Sequence, residues 1–388
     1  MKRNEHAAPA PGSSPRIASL DAFRGLTIML MLLVNNPGSW GDIYPVLRHA
    51  DWNGWTLADM VFPFFLWIVG FSIALSIAPR IAAGAPRARL MRKIFIRAAI
   101  IFALGLALNA FPFGLFGPPF DPGTLRIPGV LQRIALCYLG AALLTCFATP
   151  RRQLAIALVI LAAYWYAMTH IPVPDVGTGV LEKGRNLAAH VDSLLLAGHL
   201  WPVTKTWDPE GILSTLPAVA TTILGAVAGS FMRGAPTPSL MRAMSLCSAG
   251  SIAAVSGIVA GYWFPINKSI WTSSYVLLMA GLCMIVFAAA YSLIEFTIAV
   301  RPFRPFIWCG RNPLTLFIAS VLFAKTLSLL VIDGGDGRMI SLRDHVFRNH
   351  FLPLADPAGA SLLYAIAFCG IFMLIGWLLW RRGIFIAL

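Results

Sequence analysis

Residues 16–70 read RIASLDAFRGLTIMLMLLVNNPGSWGDIYPVLRHADWNGWTLADMVFPFFLWIVG. Two apolar runs, 18–36 and a second that opens at 55 and continues to 79, each approach the length of about 20 residues that crosses the hydrocarbon core of a bilayer. Between them lie Pro37, Gly38, Gly41 and Pro45, a composition that cannot continue a helix and lets the chain lie outward or fold back into a bundle. The stretch therefore predicts a membrane helical hairpin with an irregular, outward or re-entrant, connection. Asp21, Arg24, Asn35, Asn36, His49, Asn53 and Asp59 fall at or close to membrane depth within it. Polar and ionisable groups are expensive there, which makes each a functional candidate.

Working outward, the pattern repeats along the chain. Apolar runs at 92–113, 127–148, 152–171, 211–232, 239–263, 271–299, 306–331 and 358–380 bring the expectation to ten spans: an all-α polytopic membrane bundle. Composition agrees. Hydrophobic residues make up 58% of the 388 and charged residues 12%, against about 25% charged in a typical soluble protein. Soluble and disordered classes are excluded, since so few charges cannot cover a globule of this size.

The net charge of +14 would suggest a nucleic-acid partner in a soluble chain, but its distribution says otherwise. Arg80, Arg87, Arg89, Arg92 and Lys93, then Arg151 and Arg152, Arg301 and Arg304, and Arg381 and Arg382 cluster in alternate connections. That is the positive-inside pattern, and it predicts both termini in the cytoplasm and no nucleic-acid partner. Residues 1–16, rich in Pro, Ala and Ser, read as a flexible cytoplasmic tail, 17–382 as one transmembrane unit, and 383–388 as a cytoplasmic C-terminus. The outward side then carries connections at 37–54 and 114–126 and two longer loops at 172–210 and 332–357. Gly225 with Gly229, and Gly257 with Gly261, permit close helix approach. The six cysteines lie in or beside apolar runs and imply no disulfide framework.

Several residues have both a structural and a chemical reading. Asp21 and Arg24 form either a local ion pair or a charge aimed into the bundle at a phosphate. His49 lies on a segment whose Trp40, Trp52 and Trp55 read equally as an interfacial aromatic belt. Arg126 reaches the outer interface by snorkelling, whereas Arg133, beside Gln132 and inside an apolar run, needs a carboxylate, a carbonyl or a bound anion. Asp208, Pro209 and Glu210 open the sixth span as a helix cap or as an acidic edge for a cationic or hydroxylated substrate. Arg311 and Asn312 open the ninth as a phosphate site or as positive-inside capping. No His, Cys or acid pairs stand at metal-ligand spacing within one span, and there is no phosphate-binding loop or dinucleotide fingerprint.

The segments SLDAFRGL (19–26), VN (34–35), LRHADWNGWTLADMVFPFFLWIVG (47–70), RIPGVLQR (126–133), DPEGILSTLPA (208–218) and PINKSIWTSSYVL (265–277) resemble, in order, the heparan-α-glucosaminide N-acetyltransferase family of the transmembrane acyltransferase superfamily. The short N-terminus is similar to its bacterial inner-membrane, NagX-type branch. The resemblance implies transfer of an acetyl or similar acyl group from cytoplasmic acetyl-CoA, as co-substrate and without a metal, to a periplasmic amino sugar or sugar (in the lysosomal members a terminal glucosamine amine), by a membrane protein that forms a homodimer. By motif position it implies His49 as catalytic base and Asn35 as its partner at the carbonyl oxygen. Arg24 and Arg133 fall in motifs that line the CoA side, with Arg16, Arg126, Gln132, Arg311 and Asn312 as further candidates. Asp208, Glu210, Asn53, Asp51 and Asp59 are candidates for the acceptor or for orienting the imidazole. The alternative is an N-acetylglucosamine permease in which the same groups line a translocation path and no acyl group moves.

Overall fold

The computed structural model describes residues 17–115, 119–234, 237–296, 300–334 and 338–386; the 1–16 tail, and Arg16 with it, lies outside the described residues. Apolar runs become helices because, in lipid, only a helix or a closed barrel pairs every backbone N–H and C=O internally. The long helices in chain order are α1 (Ala18–Asn35), α2 (Leu57–Ala82), α3 (Arg87–Ala110), α4 (Val130–Phe147) and α5 (Pro150–His170). A short α6 (Leu187–Leu195) precedes α7 (Ile212–Arg233), α8 (Leu240–Ala260) and α9 (Ser273–Phe296). Then come α10 (Val300–Gly310), α11 (Pro313–Leu329), the one-turn α12 (Leu342–Val346) and α13 (Pro357–Arg381). Among the described residues nine of these are long and apolar enough to cross a membrane, and α10 with α11, bent by 67° at their break, meets the same test only as a pair, the geometry of a broken span or a re-entrant loop.

The break departs from the straight ninth span expected over 306–331. Pro313 can start a helix but cannot extend one backwards, and Asn312, with φ −133° and ψ 47°, is not helical. Its side chain turns instead to the last described segment, donating to Ile384 O at 3.0 Å and accepting from Ile386 N at 2.8 Å.

Successive spans alternate in direction, so the bundle has two ends. One, where α2, α4, α7 and α13 finish, holds most of the clustered arginines; we call it the basic end. The other, the site end, carries the connections 36–56, 111–129, 171–211, 261–272 and 330–356. The central windows of α1, α2, α4 and α7 are 61–72% buried, whereas those of α3, α5 and α8 are 28% buried and turn most of their surface outward.

The inner helices meet backbone to backbone. A Cβ on Gly70 would stand 1.8 Å from Thr222 O, and one on Gly225 2.0 Å from Trp67 O, so α2 and α7 touch without side chains between them. The same holds where α1 crosses α10: a Cβ on Gly25 would lie 1.7 Å from Phe306 O, and one on Gly310 1.7 Å from Asp21 O.

The 172–210 segment, whose composition fits a polar loop or a lid, is a packed cap. Asn186 accepts Ala189 N at 3.0 Å to start α6, and the buried Asp192 accepts Ile212 N at 2.9 Å and Asp208 N at 3.3 Å. The last outward connection contains a small antiparallel pair, β1 (Val331–Asp333) and β2 (Met339–Ser341), before α12.

Gly310→Ala is expected to force α1 and α10 apart, an overpacking cost of about 1–3 kcal/mol, and to lower the thermal midpoint in detergent by several degrees. Gly370→Ala, where a Cβ meets nothing within 4 Å, is expected to leave it unchanged. Equal midpoints for the two variants would contradict the close crossing.

Candidate active site

A cavity of about 790 Å³ opens at the site end, and Asn35, His49, Asp51, Asp59, Arg126, Lys183, Glu210, Lys268 and Trp271 are among the residues that line it. It collects side chains from α1, α2, the start of α4, the 172–210 cap and the 261–272 connection.

Asp59 organises the pocket. It is the third residue of α2, and its Oδ2 accepts Thr56 N at 3.1 Å, Thr56 Oγ1 at 3.2 Å and Ala50 N at 3.0 Å. An acid in that position satisfies donors that every helix start leaves open. Its other oxygen, Oδ1, lies 2.8 Å from His49 Nδ1 and 3.2 Å from Lys268 Nζ. Tyr275 donates to the Asp59 carbonyl at 2.5 Å from below. A carboxylate at Nδ1 selects the tautomer with its proton there, which leaves Nε2 free to accept one. The arrangement holds an imidazole against a buried carboxylate at the wall of the cavity.

Lys268, in the PINKSIW stretch, carries no sequence signal for a site residue. Its ammonium lies 3.0 Å from His49 Nδ1 and 3.4 Å from Nε2, against the ring. Burial pushes its pKa below the ordinary lysine value, and the Asp59 carboxylate offsets part of that. Asn267 fixes the turn around it: Oδ1 accepts Ile270 N at 3.1 Å, and Nδ2 donates to Asn53 Oδ1 at 3.1 Å. Gly54 N donates to Ile266 O at 2.8 Å. Asn53 is thus occupied in joining the histidine segment to the lysine turn and does not line the cavity, whereas Asp51 does and is exposed.

The other sequence candidates separate between the two ends. Arg126 forms a two-pronged pair with Asp208, Nε to Oδ2 at 2.8 Å and Nη2 to Oδ1 at 2.6 Å, and Nη2 also reaches Glu210 Oε2 at 2.6 Å. Burial alone would lower the Arg126 pKa; the two carboxylates more than offset it and raise it. Arg133 is 1% exposed, donates from Nη2 to Ser214 Oγ at 2.5 Å and Gly211 O at 3.3 Å, and its guanidinium lies 5.1 Å from the Trp271 ring centre. Gln132 is buried between α3 and α4 and lies away from the cavity. All of these stand at the His49 end. Arg24, which donates to Asp21 Oδ1 at 2.9 Å and Ser72 Oγ at 2.5 Å, stands at the basic end with Arg311 and Asn312. Among the described residues, no group of three or more His, Cys, Asp or Glu comes together as a metal would require.

Comparison with known proteins gives the family. The family model for "Heparan-alpha-glucosaminide N-acetyltransferase, catalytic" matches residues 16–259, more than half of the chain. That match includes Asn35, His49, Asp59, Arg126 and Asp208 and stops short of Lys268. Heparan-alpha-glucosaminide N-acetyltransferase of Homo sapiens is 28% identical over 358 residues, 80% of this chain and 53% of its own length. The Mus musculus protein of the same name is 28% identical over 355 residues, 79% and 53%. The chain therefore spans about half the length of the curated relatives it matches.

Asp192 yields a pH prediction. Burial, opposed by the Ile212 and Asp208 amides, lifts its pKa from 3.8 to about 6. The folded state then holds this proton more tightly than the unfolded chain, so the contribution is full below pH 3.8 and is lost as pH rises to about 6. The stability difference between wild type and Asp192→Asn, read from thermal midpoints across that window, is expected to move in favour of the variant as pH rises. A difference that is flat with pH would contradict the shift.

Proposed function

The chain belongs to the heparan-α-glucosaminide N-acetyltransferase catalytic family, and from that premise we propose that it transfers an acyl group, acetyl in the simplest case, from acyl-CoA to the amine of an amino sugar. The observation that carries the reading is the 2.8 Å pairing of His49 with Asp59 in a cavity that Asn35 also lines. Further support comes from the division of charge. The basic end faces the cytoplasm by the positive-inside rule, which sets the His49 cavity on the far side, the periplasmic side in the inner membrane of a bacterium. Arg24 and Asn35 lie on the same helix, about 16 Å apart along its axis at about 1.5 Å per residue. An extended phosphopantetheine arm covers a distance of that order, which suits a donor gripped through phosphate near Arg24 and reacting near Asn35.

In the proposed step the acceptor nitrogen attacks the thioester carbonyl while His49 Nε2 takes its proton. Asp59 holds the imidazole by Nδ1 and stabilises the imidazolium that forms. The carbonyl oxygen gains negative charge, and the Asn35 amide donates a hydrogen bond to it. As the intermediate collapses, the carbon–sulfur bond breaks and the imidazolium returns the proton to the departing thiolate, leaving an amide, free CoA and neutral His49. Lys268, ion-paired to the same Asp59 oxygen, keeps the carboxylate fixed as charge comes and goes on the ring.

With purified protein, acetyl-CoA and glucosamine, His49→Ala is expected to cut kcat by about 10²–10⁴, and Asn35→Ala by about 10²–10³. Acetyl-CoA binding, followed by thermal stabilisation, is expected to stay intact in both. Full turnover in His49→Ala would sink the mechanism. Uptake of labelled N-acetylglucosamine into proteoliposomes without acyl-CoA, unaffected by His49→Ala, would favour transport instead.

A further inference from the structure

A second cavity, of about 320 Å³, adjoins the first. Asn35 and Asn36 at the end of α1, Phe111 and Pro112 beyond α3, Lys325 on α11, Arg343 on α12 and Tyr364 on α13 line it. Asn35 lines both cavities and is their common wall.

The charges of the two differ in kind. In the larger cavity each buried cation is answered: Lys268 by Asp59, and Arg126 by Asp208 and Glu210. The smaller one is lined by two cations and no carboxylate. Lys325 Nζ donates to Leu108 O at 2.5 Å, and Arg343 Nη2 donates to Pro37 O at 2.6 Å. Among the described residues, neither has an ion-pair partner. These carbonyls are neutral and leave both charges without an acid; Arg343 also hydrogen-bonds the Tyr364 hydroxyl, while the ammonium keeps further donors and the guanidinium the remainder of its planar fork. Two unanswered cations in one concave, partly desolvated site cost free energy that a bound anion returns.

We propose that this cavity is an oxyanion subsite: Lys325 and Arg343 bind a carboxylate, sulfate or phosphate oxygen group of a ligand whose reacting part lies at His49, on the other side of Asn35. The inference rests on the transferase reading for the ligand's other half, and its oxyanion chemistry is shared by two sources. One is an anionic substituent on the acceptor sugar. The other is a phosphate of the acyl-CoA donor, an outcome that would replace the Arg24 grip suggested above by one at the site end.

The test uses the full chain and Lys325→Gln, with Arg343→Gln as a second variant because it also gives up the Pro37 contact. KM is measured for glucosamine and glucosamine 6-sulfate, and for acetyl-CoA and S-acetylpantetheine. The proposal expects about a tenfold rise in KM for the member of one pair that carries the oxyanion, with its counterpart lacking that group and kcat unchanged; about tenfold corresponds to losing one modest ionic contact. A rise for glucosamine 6-sulfate assigns the oxyanion to the acceptor, and a rise for acetyl-CoA assigns it to the donor. Thermal stabilisation of wild type by inorganic sulfate, lost in Lys325→Gln, reads the subsite without turnover, so it still reports if no acceptor is acetylated and the transferase reading fails. Unchanged KM for all four, or equal rises for both members of a pair, overturns the proposal, as does sulfate stabilisation that survives both substitutions.

Discussion

A carboxylate buried at the start of a membrane helix has to be answered on both oxygens, and the way Asp59 is answered organises the site end. One oxygen closes the start of α2 through Thr56 and Ala50; the other holds His49 and Lys268. A single side chain thus joins helix capping, which any α2 would need, to the orientation of an imidazole, which only chemistry needs. Because the cap fixes the carboxylate to backbone, the imidazole is positioned by the helix itself. Tyr275, reaching the Asp59 carbonyl from α9, ties the same point to the neighbouring span.

The two ends of the bundle handle charge differently. At the basic end arginines remain near solvent and headgroups, where they cost little and orient the protein. At the site end cations are drawn inward and held by specific partners: Arg126 in a fork of two acids, Arg133 against the Trp271 ring and the first turn of α7. These contacts also join parts of the chain far apart in sequence, since the Arg126 pair connects the start of α4 to the approach of α7. They act as fasteners for the cap over the cavity.

Much of the architecture was legible in the sequence because the bilayer enforces it. Runs near 20 apolar residues have one common solution, and all ten expected spans correspond to helices. The ninth differed in shape because Pro313 and Gly310 are local signals whose effect depends on α1 packing against Gly310, a contact no single segment reveals. The 172–210 segment looked like a solvated loop because its anchor is one acid, Asp192, answering amides some twenty residues away. Asn35, His49 and Asp59 were visible as polar residues at membrane depth, and the structure brings all three to one cavity. Lys268 escaped because a lysine beside a helix start has the same composition as an interfacial anchor. The resemblance puts Arg24 and Arg133 in motifs that line one CoA side, yet the alternation of spans already assigns them to opposite ends, and in the structure they lie apart.

The histidine segment is fastened at both margins. Near its start, Gly38 N and Ser39 N donate to Ser361 of α13 at 3.2 and 3.0 Å; near its finish, Asn53 and Gly54 are bonded to the turn that leads into α9. It is a strap of fixed length strung between two helices on different sides of the bundle, with His49 between its moorings. A change in tilt of α13 against α9 is taken up along that strap and reaches the imidazole as a displacement. Since tilt is how membrane helices accommodate bilayer thickness, the lipid surroundings have a mechanical line to His49 without touching it.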